Sequence, residues 1–134
     1  MFSDGTRLET APVQEKGIPQ NNRGFNDYTL TLADNGKHIF HPGSNYYIYV
    51  PAHEQLALPI GYTVTLITKD FGDLYIEAPT YTDINNNDYY AQIVGVGLDQ
   101  QSRYWRMPQR SIATLIKVEE GLWYLSGPGL VNTD

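Results

Sequence analysis

Strict two-residue alternation is the tightest constraint on what this chain can fold into. In LPIGYTVTLITKDFGDLYIEAP, residues 58–79, Tyr62, Val64 and Leu66 fall on one side of an extended segment and Thr63, Thr65 and Ile67 on the other. Leu74, Ile76 and Ala78 then alternate with Tyr75 and Glu77. Successive side chains of a strand point to opposite faces, so both runs read as half-buried β-strands. The three- and four-residue apolar spacing of an amphipathic helix is missing from both. Between them KDFGD, residues 69–73, offers a glycine and two aspartates and reads as a hairpin turn. A DFG triplet also holds magnesium in protein kinases. That reading needs a glycine-rich loop, a partner lysine and an HRD loop in a much longer chain, and this sequence has none of them.

The pattern recurs from Asp27 onward. Tyr28, Leu30 and Leu32 alternate with threonines, and ADNG (33–36) supplies Asn-Gly, the strongest short-range hairpin signal. Residues 37–40, 46–50 and 55–58 read as further short strands, interrupted by Pro42, Pro51 and Pro59. Residues 89–94 and 104–107 follow, and 111–118 with 122–126 form a last hairpin around Glu119, Glu120 and Gly121. About nine short strands with no helical stretch predict an all-β domain over 27–134, an antiparallel β-sandwich of jelly-roll type. Residues 1–26 have no period and carry Gly5, Pro12, Gly17, Pro19 and Gly24, so they read as an extended N-terminal arm.

A chain of 134 residues suits one domain burying roughly two-thirds of its unfolded surface. The absence of cysteine excludes disulfides and thiolate metal sites. No apolar run approaches the roughly 18 residues of a membrane span, and MFSDGTRLETAPVQ lacks the apolar core of a signal peptide. No membrane partner is expected. Net charge is −6, from 15 acidic and 9 basic residues. Nucleic-acid binders neutralise phosphates with clustered basic side chains. The one dense basic segment here is RYWRMPQR (103–110), so Arg103, Tyr104, Trp105 and Arg106 read as a protein contact or a buried aromatic pair, not a nucleic-acid site.

Nothing in the sequence assembles a catalytic, metal or cofactor site. In TDINNNDY, residues 82–89, Asp83, Asn85 and Asn87 have the spacing that opens a calcium loop. The glycine and the bidentate glutamate that should follow are Asp88 and Val94, so an EF-hand is rejected. His38, His41 and His53 have no convergent spacing. Ser111 and Ser126 lack a nucleophile elbow, and Glu119 with Glu120 reads as a solvated turn. An enzyme is not expected. The eleven tyrosines are more informative. An apolar ring with a polar tip suits a surface that a macromolecule or a sugar will cover, although tyrosine is also common in sheets. Candidate partner contacts are Phe2, Arg7 and Leu8 in the arm, and Tyr47, Tyr49, Tyr75, Arg103, Tyr104, Trp105 and Arg106 in the domain.

Several ordered motifs carry a resemblance: Val50-Pro51, Leu58-Pro59-Ile60-Gly61, VTLI (64–67), ATLIKV (113–118) and WYLSG (123–127). Over residues 28–127 they resemble a β-domain recurrent in virion proteins of tailed bacteriophages. The resemblance implies a trimer-forming module of tail fibres, appendages or head-decoration proteins, with no catalytic residues. Two features depart from it. Residues 81–107 are richer in Tyr, Asn and Arg than the corresponding linker, and the chain, beginning at Met1, is expected to be a free-standing gene product. The expected function is that of a capsid decoration (cement) protein, assembled onto the virion in the host cytoplasm. Its partners would be the major capsid protein or other virion proteins, and it would bind as a homotrimer with arm 1–26 reaching to capsid or neighbouring subunits. The alternative is a tail or fibre component that binds host-surface carbohydrate. Tyr47, Tyr49, Tyr75, Tyr104 and Trp105 would then stack on sugar rings while residues 85–88 bond hydroxyls. Sequence leaves head and tail both open.

Overall fold

The computed structural model describes residues 17–98 and 100–134. Among the described residues the chain is all-β, with 45% of them in strands against 3% in helix. It travels back and forth between two sheets. β1 (Gln20–Asn22) lies in the larger sheet and β2 (Tyr28–Thr29) in the smaller. A single 3₁₀ turn, Leu32–Asp34, leads to β3 (His38–His41) in the larger sheet and β4 (Tyr46–Tyr49) in the smaller. β5 (Thr63–Thr68) and β6 (Leu74–Glu77) repeat the step. β1, β3 and β5 run parallel, as do β2, β4 and β6. Each circuit is one coil, and the three stacked coils make a short β-solenoid.

The remaining strands close this stack. β7 (Tyr81–Thr82) and β8 (Asp88–Tyr89) form a separate hairpin. β9 (Gln92–Gly95), β10 (Gln100–Ser102), β12 (Ile112–Glu119) and β13 (Leu122–Ser126) join the larger sheet, while β11 (Tyr104–Met107) and β14 (Val131–Asn132) join the smaller. The strand orders are β10-β9-β13-β12-β5-β3-β1 and β14-β11-β6-β4-β2. β12 and β11 add to the third coil antiparallel, so both sheets are mixed.

An antiparallel jelly roll is therefore corrected to a mixed, solenoid-like winding. Alternation fixes which side chains face inward, but parallel and antiparallel neighbours satisfy it equally. Two expected hairpins fall with it: ADNG and KDFGD are corners that carry the chain from one sheet to the other, not links between paired strands. Residues 55–58, expected as a strand, belong to an irregular connection. The last hairpin, β12 with β13, stands as expected. The end of the expected arm is part of the domain, because Gln20–Asn22 pairs with β3. The rest of that arm, residues 1–16, lies outside the described residues, and Phe2, Arg7 and Leu8 with it.

Coil stacks on coil in register. Ile39 lies beside Leu66 in the larger sheet and Ile48 beside Ile76 in the smaller, all four fully buried. Trp105, Leu115, Trp123 and Leu125 complete the core from the closing strands. Trp123 meets Tyr62 edge to face, with ring centroids 5.4 Å apart. The corners stack as well. The Asn45 N–H donates to the Asp73 carbonyl at 2.8 Å, and Gly43 sits so close to the third-coil corner that a Cβ there would fall on the Gly72 carbonyl. His41, fully buried, holds this corner: its Nδ1 accepts the Gly43 N–H at 2.9 Å, and its Nε2 donates to the Asn26 carbonyl at 2.7 Å. Burial pushes the His41 pKa down, which keeps Nδ1 free to accept.

The first coil is tied by a buried carboxylate. Asp34 accepts from the Tyr28 hydroxyl at 2.7 Å, the Asn21 amide at 3.0 Å, and the Thr31 N–H at 3.0 Å. Burial alone would raise its pKa, but these donors outweigh burial and hold the carboxyl below its ordinary value.

Two measurements check this account. Gly43→Ala is expected to lower the unfolding free energy measured in urea by upward of about 2 kcal/mol: a left-handed backbone (φ 86°) accounts for roughly 1–2, and the stacked corners must also separate. Gly36→Ala, equally left-handed (φ 77°) but with open space around it, loses only the first part. Asp34→Asn is expected to lose about 2 kcal/mol at neutral pH. The native carboxyl is depressed, so its stabilisation is present above the ordinary value of about 4 and fades as pH falls through the folded value. The gap between Asp34→Asn and wild type in urea unfolding should therefore narrow in acid.

A tyrosine ladder as candidate interaction site

The smaller sheet displays its tyrosines as a consequence of register. Along β4 the fully buried Ile48 faces the core, so Tyr47 and Tyr49 face outward. Along β6 the buried Leu74 and Ile76 leave Tyr75 and Glu77 outward, and along β11 the buried Trp105 and Met107 leave Tyr104 and Arg106 outward. Tyr47 pairs with Tyr75, which pairs with Arg106. One step along, Tyr49 pairs with Glu77, which pairs with Tyr104. The tyrosines brought together here lie 26 or more residues apart in the chain between one strand and the next, as Tyr49 and Tyr75 do.

Their rings lie close to parallel. Tyr47 and Tyr49 have centroids 5.7 Å apart with planes 8° apart, and Tyr47 and Tyr75 have centroids 5.2 Å apart with planes 25° apart. Beside them a concavity of about 410 Å³ is lined by Tyr47, Tyr75, Glu77, Tyr104 and the C-terminal Thr133 and Asp134. Acidic groups surround the ladder. Asp27 accepts the Tyr47 N–H at 2.9 Å and the Tyr49 hydroxyl at 3.4 Å. Asp73 holds the Arg106 guanidinium at 3.5 Å. Partial burial, then the nearby Asp27 and Glu77, raise the Tyr49 pKa, so its hydroxyl stays a proton donor.

Of the seven expected contacts in the domain, Tyr47, Tyr49, Tyr75, Tyr104 and Arg106 share this face. Trp105 does not: it is fully buried, with its indole N–H shared between the carbonyls of Ile93 and Ser102 at 3.2 Å each. Its neighbours Tyr104 and Arg106 take the outward positions of the strand, so Trp105 is a core residue and not a stacking platform. Arg103 is also committed elsewhere. Its guanidinium donates to the Ala78 carbonyl at 3.0 Å and the Thr80 hydroxyl at 2.7 Å, and it lies 3.9 Å from the Tyr90 ring centre. Residues 85–88, expected to bond sugar hydroxyls, sit at the tip of the β7–β8 hairpin, where the Asp83 carboxylate accepts the N–H groups of Asn85 and Asn87 at 2.9 Å each.

Glu77 was within reach of sequence reasoning, since it shares the outward phase of Tyr75. Thr133 and Asp134 had no signal, because they follow a two-residue strand. Among the described residues, no group of three or more His, Cys, Asp or Glu side chains is placed to hold a metal ion. No protein-family model matches the sequence, and no curated protein or solved structure matches it significantly.

The two roles separate in stability. Trp105→Ala is expected to cost about 3–5 kcal/mol in chemical denaturation, as truncation of a fully buried aromatic does. Tyr75→Ala should cost no more than about 1.5 kcal/mol, the scale of one aromatic pair on a half-open surface.

Proposed function

We propose that this chain is a non-enzymatic structural protein of a tailed-phage virion, a decoration protein that fastens to the capsid surface through the tyrosine ladder. The observation that carries this reading is the ladder itself: four tyrosines with Glu77 and Arg106, held in fixed register on a rigid sheet. Rings that face one another present edges and hydroxyls outward, which suits a protein surface better than the flat face of a sugar. The resemblance of the ordered motifs to phage virion β-domains is what suggests the setting. The ionisable groups with displaced protonation support a binding role over a catalytic one, since Asp34, His41 and Lys117 are each spent on holding local structure.

A second reading, a tail component that binds host-surface carbohydrate, draws on the concavity. Tyr104 borders it, and Glu77 and Asp134 could accept sugar hydroxyls there. A deletion of residues 1–26 is not a clean test of either, because it removes β1. Labelled full-length protein should instead be mixed with heads of the encoding phage that lack it. Wild type is expected to bind, and the Tyr47→Ser/Tyr75→Ser/Tyr104→Ser variant, with unchanged circular dichroism, is expected to bind at least tenfold more weakly. Failure of wild type to bind heads overturns the decoration reading, and glycan-array labelling lost in the same variant would replace it with the carbohydrate one.

A further inference from the structure

The outward face of the larger sheet is uncharged at every described strand position but one, Glu119 at the end of β12. One row across it reads Asn22, Phe40, Ile67 and Ile112. The next reads Gln20, His38, Thr65, Thr114 and Ser126. A third reads Thr63, Ile116, Tyr124, Val94 and Gln101. A last row, Glu119, Leu122 and Gln92, ends the face. Apart from Glu119 none of these is Asp, Glu, Lys or Arg, although the chain carries 24 such residues in all (15 acidic and 9 basic). Further charge lies past the strand ends, at Lys37 and Lys69. Two of its apolar members are open to solvent, Ile112 at 56% exposed and Tyr124 at 41%, while Phe40, Ile67, Val94, Ile116 and Leu122 are half-buried. At the Phe40 corner the face continues into Phe25 and Phe71, also exposed and meeting edge to face at 5.2 Å.

We infer that this face is where a second copy of the chain packs. Contact between copies puts a surface against its own kind, so a patch dominated by one sign of charge would meet itself and bury unpaired charge. In a molecule of net charge −6, most surfaces face that penalty. The smaller sheet does, with Glu77 outward and Asp27 and Asp73 beside its ladder, whereas this face carries a single charge, Glu119, in its end row. A different protein would gain specificity from complementary charges, and the central rows of this face offer none to complement. The size fits. Seven strands at about 4.8 Å spacing span about 29 Å, and the rows extend about 16–20 Å along the strands. That footprint of about 500–600 Å², before side-chain relief, is of the order of the ~800 Å² each partner gives to a stable interface. Isoleucine and threonine side chains standing off a sheet pack against a second such sheet at about 10 Å, as in any sandwich core.

The test is the oligomeric state of the full chain in sedimentation equilibrium. Wild type is expected at a multiple of 15.2 kDa at micromolar concentration. Ile116→Glu/Tyr124→Glu, which places charge on two paired outward positions, is expected at the monomer mass, with Tyr124→Phe remaining assembled. If the double variant loses its β circular dichroism, Thr114→Lys, at a half-exposed position in the middle row, decides in its place. The Tyr47→Ser/Tyr75→Ser/Tyr104→Ser variant should stay assembled, so failure of the head-docking reading and failure of this one are told apart. A wild-type monomer at every soluble concentration overturns the inference. So does a folded charged variant that stays assembled, or a chain that is monomeric alone and loses head binding through Ile116→Glu/Tyr124→Glu.

Discussion

In-register stacking of successive coils is the constraint from which the other features follow. A single coil has an apolar interior with nothing above or below it, and only the next coil covers it. Ile39 on Leu66 and Ile48 on Ile76 are the contacts that do so, each side chain contributing about 1.5–3 kcal/mol when removed from water. Register at these inward positions also sets register outward, because a slip of one residue would turn every side chain to the other face. Tyr47 lies against Tyr75 because Ile48 lies against Ile76. The candidate site is thus an outward projection of core packing, and it is as rigid as the core beneath it.

Much of this was legible in the alternation. The two-face division of 62–67 and 74–78 matches the structure residue by residue, so the outward position of Tyr75 followed from it. Partner and direction could not. Asn35-Gly36 and Asp70-Phe71-Gly72 are strong hairpin signals, yet both lie at corners between sheets. A tight turn reverses the chain locally, and whether the next strand pairs with the last is decided by burial over the whole coil. At Gly43 and Gly72 the decisive contact is between two corners 29 positions apart in sequence, which no local pattern encodes. Of the two readings of Trp105, buried aromatic and partner contact, the structure bears out burial, and the other arose for a simpler reason. An aromatic residue between arginines resembles a binding surface, although the same alternation that turned Tyr104 and Arg106 outward required Trp105 to turn in.

Lys117 shows how the fold accommodates a residue that violates its own pattern. It occupies an inward position of β12, in phase with Ala113 and Leu115, and is 1% exposed. Its ammonium donates to the Leu58 carbonyl at 2.7 Å and to His53 Nδ1 at 2.8 Å, and it lies 5.9 Å from the Trp123 ring centre. Burial lowers its pKa, and the carboxylates of Glu120 and Glu54 act in the opposite sense. Both of its acceptors belong to the irregular connection between β4 and β5, which has no ladder of its own. Lys117 therefore fastens that connection to the closing hairpin, assisted by the backbone bond from Gly61 N–H to the Lys117 carbonyl at 2.8 Å. The hydrogen bonds that satisfy the buried charge are the same ones that order a segment without strands.

The two outward faces differ in a way the core does not require. Alternation demands apolar residues at inward positions only, and any polar residue would serve outward. A soluble surface in which about a quarter to a third of residues are charged would place several charges on a seven-stranded face. The larger sheet has one at its outward strand positions, Glu119 at the end of β12, while the smaller pairs its tyrosines with Glu77 and Arg106. Exposed strand edges and uncharged faces invite association, and proteins that stay apart mark them with charge. Leaving one face nearly unmarked while marking the other is what the two proposals build on: self-contact would use the larger sheet, and contact with a chemically different surface the aromatic, acid-rimmed one. An assembly built this way would keep its tyrosine faces turned outward from the shared interface, available to whatever it coats.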